Sequence, residues 1–179
     1  RVAAQTKGLA FWEHAWSLLQ CAAQRFPGRI GTHLIVGLGE TEEELIASLD
    51  ALHRQGILIG LFAFTPVPGA RLALQPPPPL ASYRRIQAAR WLLVNGLTKA
   101  ADFRYDGSGR LCDFGLSQDD LRALLAEGEA FRTAGCPGCN RPYYNEHPGG
   151  EMFNYPRPLT VGERQRELDD LLRTLSERR

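Results

Sequence analysis

Helical and strand-like segments alternate along the first half of the chain, and this alternation limits the folds that it can adopt. Apolar residues recur at helical spacing over residues 9–25, and a short apolar run follows at residues 29–36. A second helical pattern ends near residue 54, and residues 57–64 are almost continuously apolar. Such a run is typical of a parallel strand that is covered on both faces. With a further helix at residues 82–94, the order predicts parallel βα units.

Local signals at the segment ends agree with this order. Pro27 and Gly28 end the first helix, and the sequence T-E-E-E at residues 41–44 is a capping box for the second. Asn95 and Gly96 form a C-terminal signal for the third.

The regular alternation of helical and strand-like segments ends after residue 97. We divide the chain into βα units at residues 1–97, an irregular extension at 98–159 and an amphipathic helix at 160–179. Two strands cannot close a barrel or protect their edges, so we expect further strands upstream. The chain starts with Arg1 and its one methionine is Met152, which suggests that it is a C-terminal fragment.

Net charge and the length of the apolar runs limit the kinds of partner that we expect. The formal net charge is +1, which gives no electrostatic signature of a nucleic-acid-binding protein. No apolar run approaches the roughly 18–20 residues that span a bilayer. An apolar fraction of 44% is ordinary for a globular protein. We expect the protein to be cytoplasmic.

Glycines and prolines follow both predicted strands at the edge where ligands of parallel α/β folds bind. The first strand runs into H-L-I-V-G-L-G-E at residues 33–40, where glycines would let a flat ligand approach the backbone. The second runs into F-T-P-V-P-G at residues 64–69, where proline frees neighbouring backbone groups from the sheet. A plain βα turn and a strand terminator are the structural alternatives.

Two cysteines, Cys136 and Cys139, form a C-P-G-C knuckle that can present two thiolates to one metal or cluster. Zinc would need about two more ligands, and His147 and Cys112 are the local candidates. Candidate substrate residues are Arg141, Tyr143, Asn145 and Arg157. The N-Y-P-R sequence at residues 154–157 could equally dock the loop on the rest of the fold.

Other residues have structural interpretations. We expect Cys21 to be a packed thiol, and Trp12, Trp16 and Trp91 to lie in core or interface positions. We expect Arg84, Arg85 and Arg90 on solvated helix faces, although Arg90 could point inward.

Together these segments resemble the radical S-adenosylmethionine (SAM) superfamily, near biotin synthase and lipoyl synthase. Residues 32–44 look like the segment at strand five of those barrels, where a loose G-x-I-x-G-x-x-E pattern packs against adenine. His33 stands in place of the first glycine. Residues 65–69 resemble the strand-six turn, P-x-P-G-T in many relatives, with Ala70 replacing the threonine. Residues 135–146 and 154–157 are similar to two-component, archaeal-type lipoyl synthases.

The resemblance implies an α/β fold: the C-terminal part of a partial (β/α)6 TIM-like barrel, an irregular cysteine-containing extension and a terminal helix. The residues that it places at SAM are Ile35, Gly37, Gly39, Glu40, Pro66, Val67 and Pro68. A [4Fe-4S] cluster on upstream cysteines would generate a 5′-deoxyadenosyl radical for hydrogen abstraction. Cys136 and Cys139 would ligate a possible auxiliary iron–sulfur cluster for sulfur insertion into an octanoyl group.

The same resemblance implies an electron donor, a small-molecule or octanoyl-carrier protein substrate and a partner subunit. Because the C-x3-C-x2-C of the superfamily is absent from these residues, we expect this chain to be inactive by itself. A biotin-synthase-like or other radical SAM reaction and a non-catalytic zinc-binding module stay open as alternatives.

Overall fold

A computed structural model describes residues 8–135 and 150–176 of the 179-residue chain. The first half contains, in order, α1 Leu9–Arg25, β1 Gly31–Val36, α2 Glu42–His53, β2 Leu58–Ala63 and α3 Leu80–Val94. The order predicted from the sequence is therefore confirmed, and the mixed α/β class with it. The second half contains β3 Arg104–Tyr105, β4 Leu111–Asp113, α4 Gln118–Leu125 and α5 Val161–Ser176. Short 3-10 helices lie at Ala100–Asp102 and Glu129–Phe131.

β1, α2 and β2 form one parallel βαβ unit. The two strands pair in register from Gly31 opposite Leu58 to Val36 opposite Ala63. α2 begins with the predicted capping box: the Glu44 N–H donates to the Thr41 hydroxyl at 3.1 Å, and the Thr41 N–H donates to the Glu44 carboxylate at 2.9 Å. One face of the sheet packs on α2 through alternate apolar side chains. These buried residues are Val36, Ile59, Leu61 and Ala63 on the strands and Leu45, Ile46, Leu49 and Leu52 on the helix.

The opposite face of this sheet, here called the far face, carries His33 and Ile35 on β1 and Gly60 and Phe62 on β2. The assignment follows from the period of two along a strand and from the register, which pairs His33 with Gly60 and Ile35 with Phe62. Ile35 is 43% exposed on this face, an unusual position for an isoleucine in the middle of a strand.

α3 lies at the centre of the molecule and is buried along most of its length. It packs against α2, against α5 and against the 3-10 helix Glu129–Phe131. The apolar core is continuous from the βαβ unit to α5, since buried residues of both belong to one cluster. Residues after 97 are thus held to the first half through α3.

The two edges of the parallel sheet are treated differently. At β2 the Arg90 Nε–H donates to the Ile59 carbonyl at 2.7 Å, so a side chain of α3 covers that edge. Burial lowers the pKa of Arg90. Within the described residues β1 has one strand neighbour, β2, and its other edge is free of strand partners.

The second half starts with an antiparallel hairpin, β3–β4. Ser117 caps α4, since its hydroxyl accepts from the Asp120 N–H at 3.1 Å. Thr160 accepts from the Glu163 N–H at 3.3 Å at the start of α5. Among the helices that the structure describes, none has the length and apolar character needed to cross a membrane.

Candidate functional site

The turn after β1 is shaped by Glu40. Its carboxylate accepts the Gly37 N–H at 2.7 Å and the Leu38 N–H at 2.9 Å, so both carboxylate oxygens bind the backbone of the turn. Gly37 has φ of 100°, a conformation that favours glycine. The carbonyl of Gly37 accepts a hydrogen bond from the Gln75 amide. Glu40 therefore fixes the turn at the strand end, and this is a backbone-positioning role.

A cavity of about 350 Å³ lies between this turn and the proline run at residues 76–79. Gly37, Gly39 and Glu40 line it, together with Gln75. A Cβ atom on Gly37 would lie 2.9 Å from Pro78 Cδ, so the absence of a side chain lets the turn and the proline run approach each other. The proline run is thus one wall of the cavity.

A second groove, of about 580 Å³, follows the free edge of β1. Ile35, His33 and Glu40 line it, and Trp12 of α1 closes one side. Glu40 thus borders both spaces at the end of β1. Pro66, Val67 and Pro68 line neither of them, although Val67 is 59% exposed.

The two strand-end motifs lie side by side. β1 and β2 end opposite each other at Val36 and Ala63, and the Phe64 N–H donates to the Val36 carbonyl at 2.8 Å. The turn after β1 and the T-P-V-P-G turn after β2 therefore leave the same edge of the sheet. The structure brings the two predicted cofactor-binding motifs together at this edge, as parallel strands require.

The far face of the sheet is in contact with the chain just before the cysteine knuckle. The His33 and Phe62 rings contact each other at a tilt of 42°, with centroids 4.7 Å apart. A Cβ atom on Gly60 would meet His33 Cδ2 at 2.7 Å and the Ala134 carbonyl oxygen at 3.2 Å. A Cβ atom on Gly135 would lie 3.7 Å from Gly60 Cα. Residues 134–135 therefore lie against the strand at Gly60, beside the imidazole of His33.

Residues before and after the stretch 136–149 are joined by backbone hydrogen bonds. The Tyr155 N–H donates to the Phe131 carbonyl at 3.0 Å, and the Thr133 N–H donates to the Tyr155 carbonyl at 3.0 Å. These bonds form a parallel bridge between Arg132 and Tyr155. The backbone before and after the cysteine-containing stretch is thereby fixed at one place in the fold.

A buried polar cluster on α3, here called the Arg84 cluster, binds residues 152–155. These residues, here called the returning segment, follow the cysteine-containing stretch in the sequence. The Arg84 guanidinium, 2% exposed, binds the Glu167 carboxylate of α5 at 2.6 Å. It also donates to the carbonyls of Met152 and Phe153 at 2.6 Å each. The Tyr155 hydroxyl donates to the other Glu167 oxygen at 2.6 Å. Burial, and then the hydrogen bond to Glu167, raises the pKa of Tyr155.

Other groups on α3 extend the Arg84 cluster. The Gln87 amide donates to the Phe153 carbonyl at 3.0 Å and to the Asn154 side-chain oxygen at 3.1 Å. The Tyr83 hydroxyl donates to the same Asn154 oxygen at 3.0 Å. Asn154 and Tyr155 are both buried, so the docking interpretation of residues 154–155 is the one that the structure supports.

The expectation that Arg84 and Arg85 lie on solvated faces is wrong. Arg85 is 5% exposed and binds both oxygens of Glu42, with Nε at 2.9 Å and Nη2 at 2.6 Å. Ser82 and the Leu111 N–H complete the shell of Glu42. Burial is possible because each guanidinium has a carboxylate partner from another element.

Arg157 lies on the surface at the start of α5, where its guanidinium binds the Glu163 carboxylate at 2.8 Å. The hydrogen bond from Arg157, together with those from Thr160, lowers the pKa of Glu163 to about 2. The remaining predicted residues, Cys136, Cys139, Arg141, Tyr143 and Asn145, lie outside the described residues, as does His147.

The other two cysteines differ from each other. Cys21 is exposed on α1, so the expected packed thiol is wrong. Cys112 is partly buried on β4, and its thiol donates to the Arg104 carbonyl at 3.3 Å. Over residues 8–135 and 150–176, no group of three or more His, Cys, Asp or Glu side chains is placed to hold a metal ion.

Three residues at these sites were not predicted from the sequence: Gly60, Gln75 and Glu167. Gly60 lies inside an apolar strand, and a glycine at such a position predicts that another part of the chain approaches the backbone closely. Gln75 and Glu167 had no local signal, because their partners lie 38 and 83 residues away along the chain.

The fold and the site define a chain of mixed α/β class with a parallel βαβ unit, a glycine turn and a proline turn at one sheet edge. Comparisons with protein-family models, with curated proteins and with solved structures gave no match. The assignment of a function therefore depends on the site residues.

Proposed function

We propose that this chain is the C-terminal part of a radical SAM enzyme, with β1 and β2 as the fifth and sixth strands of a partial (β/α)6 barrel. The observation that carries the proposal is the adjacency of the two strand-end turns, at residues 37–40 and 65–69, at one edge of a parallel pair. The edge of β1 that has no strand partner among the described residues is where a preceding barrel strand would pair. Cytoplasmic residence is part of the same proposal.

SAM would bind at the carboxyl ends of the strands. The exposed Ile35 side chain offers an apolar surface for the adenine ring beside the turn at Gly37. Glu40 holds that turn through its two backbone hydrogen bonds and would so keep the backbone in place beside the cofactor. Gly39, Pro66, Val67 and Pro68 would complete the surroundings of the cofactor.

The reaction that this resemblance implies is hydrogen abstraction from an unactivated C–H bond. A [4Fe-4S] cluster on cysteines that are not among these residues would supply the electron that cleaves SAM to methionine and a 5′-deoxyadenosyl radical. The far face, with Ile35 and Phe62, would shield the reacting groups from water. This separation of parts is why we expect the chain by itself to be inactive.

Cys136 and Cys139 are the proposed thiolate ligands of an auxiliary cluster for sulfur insertion into an octanoyl group. The support is the position of Gly135, the residue before Cys136, against Gly60 on the far face. The Arg84 cluster, which binds the carbonyls of Met152 and Phe153, fixes the chain where it returns. Arg141, Tyr143, Asn145 and Arg157 stay the proposed substrate contacts.

The test is anaerobic reconstitution of the full-length protein with iron and sulfide. We expect more than one cluster, and the variant Cys136→Ala/Cys139→Ala should lose one. Product analysis with octanoylated peptide against dethiobiotin separates lipoyl-type from biotin-type sulfur insertion. Equal iron and sulfide contents in the double variant and the parent would refute the auxiliary cluster.

The alternative is a non-catalytic zinc module that uses Cys136, Cys139, His147 and Cys112. The Cys112 thiol is hydrogen-bonded within the β3–β4 hairpin, which is a reason to prefer the cluster. Elemental analysis that finds one zinc and no iron would favour the alternative.

A further inference from the structure

Gly60 is the point where three parts of the chain meet. It lies in the middle of β2 and is buried, although it has no side chain of its own. The His33 ring from β1 and the Ala134 carbonyl both lie close to it on the far face. A Cβ atom at residue 60 would stand 2.7 Å from His33 Cδ2 and 3.2 Å from the Ala134 oxygen, so both groups border the space that the missing side chain leaves.

The His33 ring also contacts β2 through Phe62. The two rings are tilted by 42° with centroids 4.7 Å apart, and Phe62 lies two residues along β2 from Gly60. Aromatic pairs at this separation are favourable, so the contact with Phe62 favours this position of the imidazole, although the side chain is exposed.

The segment that lies on Gly60 is anchored immediately upstream. Phe131 is fully buried, and the bridge with Tyr155 holds residues 131–133. After this bridge, residues 134–135 cross to the sheet. Their direction is therefore set by two supports, the bridge to Tyr155 and the surface at Gly60.

We propose that Gly60 and His33 are positioning residues that hold residues 134–135, which precede Cys136 in the sequence, on the far face. Gly60 does so by leaving space for the Ala134 carbonyl, and His33 by closing that space from the side. The inference rests on the proposed function for the role of the thiolates, but the placement of residues 134–135 does not depend on it.

The surface of β2 at Gly60, on which Ala134 lies, is here called the seat. The first experiment adds one methyl group to it. In a Cys21→Ala/Cys112→Ala background, only Cys136 and Cys139 can react with iodoacetamide. We expect Gly60→Ala to change their alkylation rates in the metal-free chain, because the new methyl would stand 2.7 Å from the His33 ring. Gly107→Ala is the matched control, since a Cβ atom there meets nothing within 4 Å.

A rescue variant separates the seat from a general loss of stability. Adding His33→Ala to Gly60→Ala removes the 2.7 Å contact and leaves only the 3.2 Å approach to Ala134. We expect the alkylation rates to move from those of Gly60→Ala to those of His33→Ala, because the 2.7 Å contact is gone but His33 no longer borders the space. His33→Ala alone removes atoms and creates no clash, so it tests the seat even if Gly60→Ala fails to fold. It should raise the alkylation rates.

A second measurement uses Co²⁺ alone as the probe of the thiolates. We expect Gly60→Ala to weaken Co²⁺ binding about tenfold or more, as loss of supporting residues around metal ligands commonly does. If the parent binds no Co²⁺ through Cys136 and Cys139, the proposed metal role fails, while the alkylation rates still decide the seat. Rates in Gly60→Ala and His33→Ala that equal those of Gly107→Ala would overturn the inference.

Discussion

Removing Glu167 should destabilise the protein more than removing any surface carboxylate of α5. Its side chain is 8% exposed and holds the guanidinium of Arg84, whose side chain is 2% exposed. Glu167→Ala would leave that guanidinium buried without a counter-charge and the Tyr155 hydroxyl without its acceptor. Breaking one partner of a buried ion pair costs about 3–5 kcal/mol.

Three neutral groups still bind Arg84 after this change, namely the carbonyls of Met152 and Phe153 and the Gln87 side chain. The Phe131 and Tyr155 rings also face the guanidinium, at 5.5 and 5.6 Å from its central carbon. We therefore expect the lower end of the range, about 3 kcal/mol, for Glu167→Ala. Glu167→Gln keeps the shape of the side chain and should cost about 2 kcal/mol, the contribution of a hydrogen bond to a charged group.

The assay is urea unfolding followed by far-ultraviolet circular dichroism. Asp169→Ala is the matched control on the same helix, because Asp169 pairs with Arg122 on the surface, where both side chains are about half exposed. Exposed pairs of this kind contribute little, so the control should unfold at nearly the same urea concentration as the parent. Equal unfolding free energies for Glu167→Ala and Asp169→Ala would refute the argument that the Arg84 cluster fixes the returning segment.

Three further changes test other parts of the structure. Gly37→Ala should lower the melting temperature more than Gly39→Ala, because both glycines have φ near 100° but only Gly37 would place its methyl against Pro78; equal shifts would contradict the close approach. Glu42→Gln should destabilise the protein in urea and Glu43→Gln should not, because Glu42 binds Arg85 in a buried position while Glu43 is exposed. The pKa of Glu163 falls from 4.5 to about 2 on folding, so its contribution to stability is present above pH 4.5 and is lost as the pH falls towards 2. In Glu163→Gln the free energy of unfolding should therefore fall less steeply than in the parent as the pH is lowered through this window. An unchanged slope would exclude the Arg157–Glu163 pair as its cause.

The elements of the first half could be predicted because their signals are local. The capping box at Thr41 and the apolar run at residues 57–64 each lie within a few residues, and the structure places α2 and β2 there. The parallel pairing then follows from a helical crossover between two buried strands. The adjacency of the two turns is a consequence of that pairing.

The Arg84 cluster could not be predicted in the same way. Arginines on a helix are ordinarily solvated, and nothing near Arg84 in the sequence shows that Glu167 will meet it from α5. The bridge between Arg132 and Tyr155 has the same character, since its partners are separated by the cysteine-containing stretch. The backbone role of Glu40 was also hidden, because a match to a motif does not show what a carboxylate binds.

The most direct test of the proposed function is the iron and acid-labile sulfide content of the anaerobically reconstituted 179-residue chain. The C-x3-C-x2-C of the superfamily is absent from these residues, so any iron–sulfur cluster that this chain binds through thiolates must use Cys21, Cys112, Cys136 or Cys139. We expect iron and sulfide in the parent, and their loss in Cys136→Ala/Cys139→Ala but not in Cys21→Ala, whose exposed thiol lies on α1. A parent chain that binds zinc and no iron, or a double variant with undiminished iron and sulfide, would contradict the account.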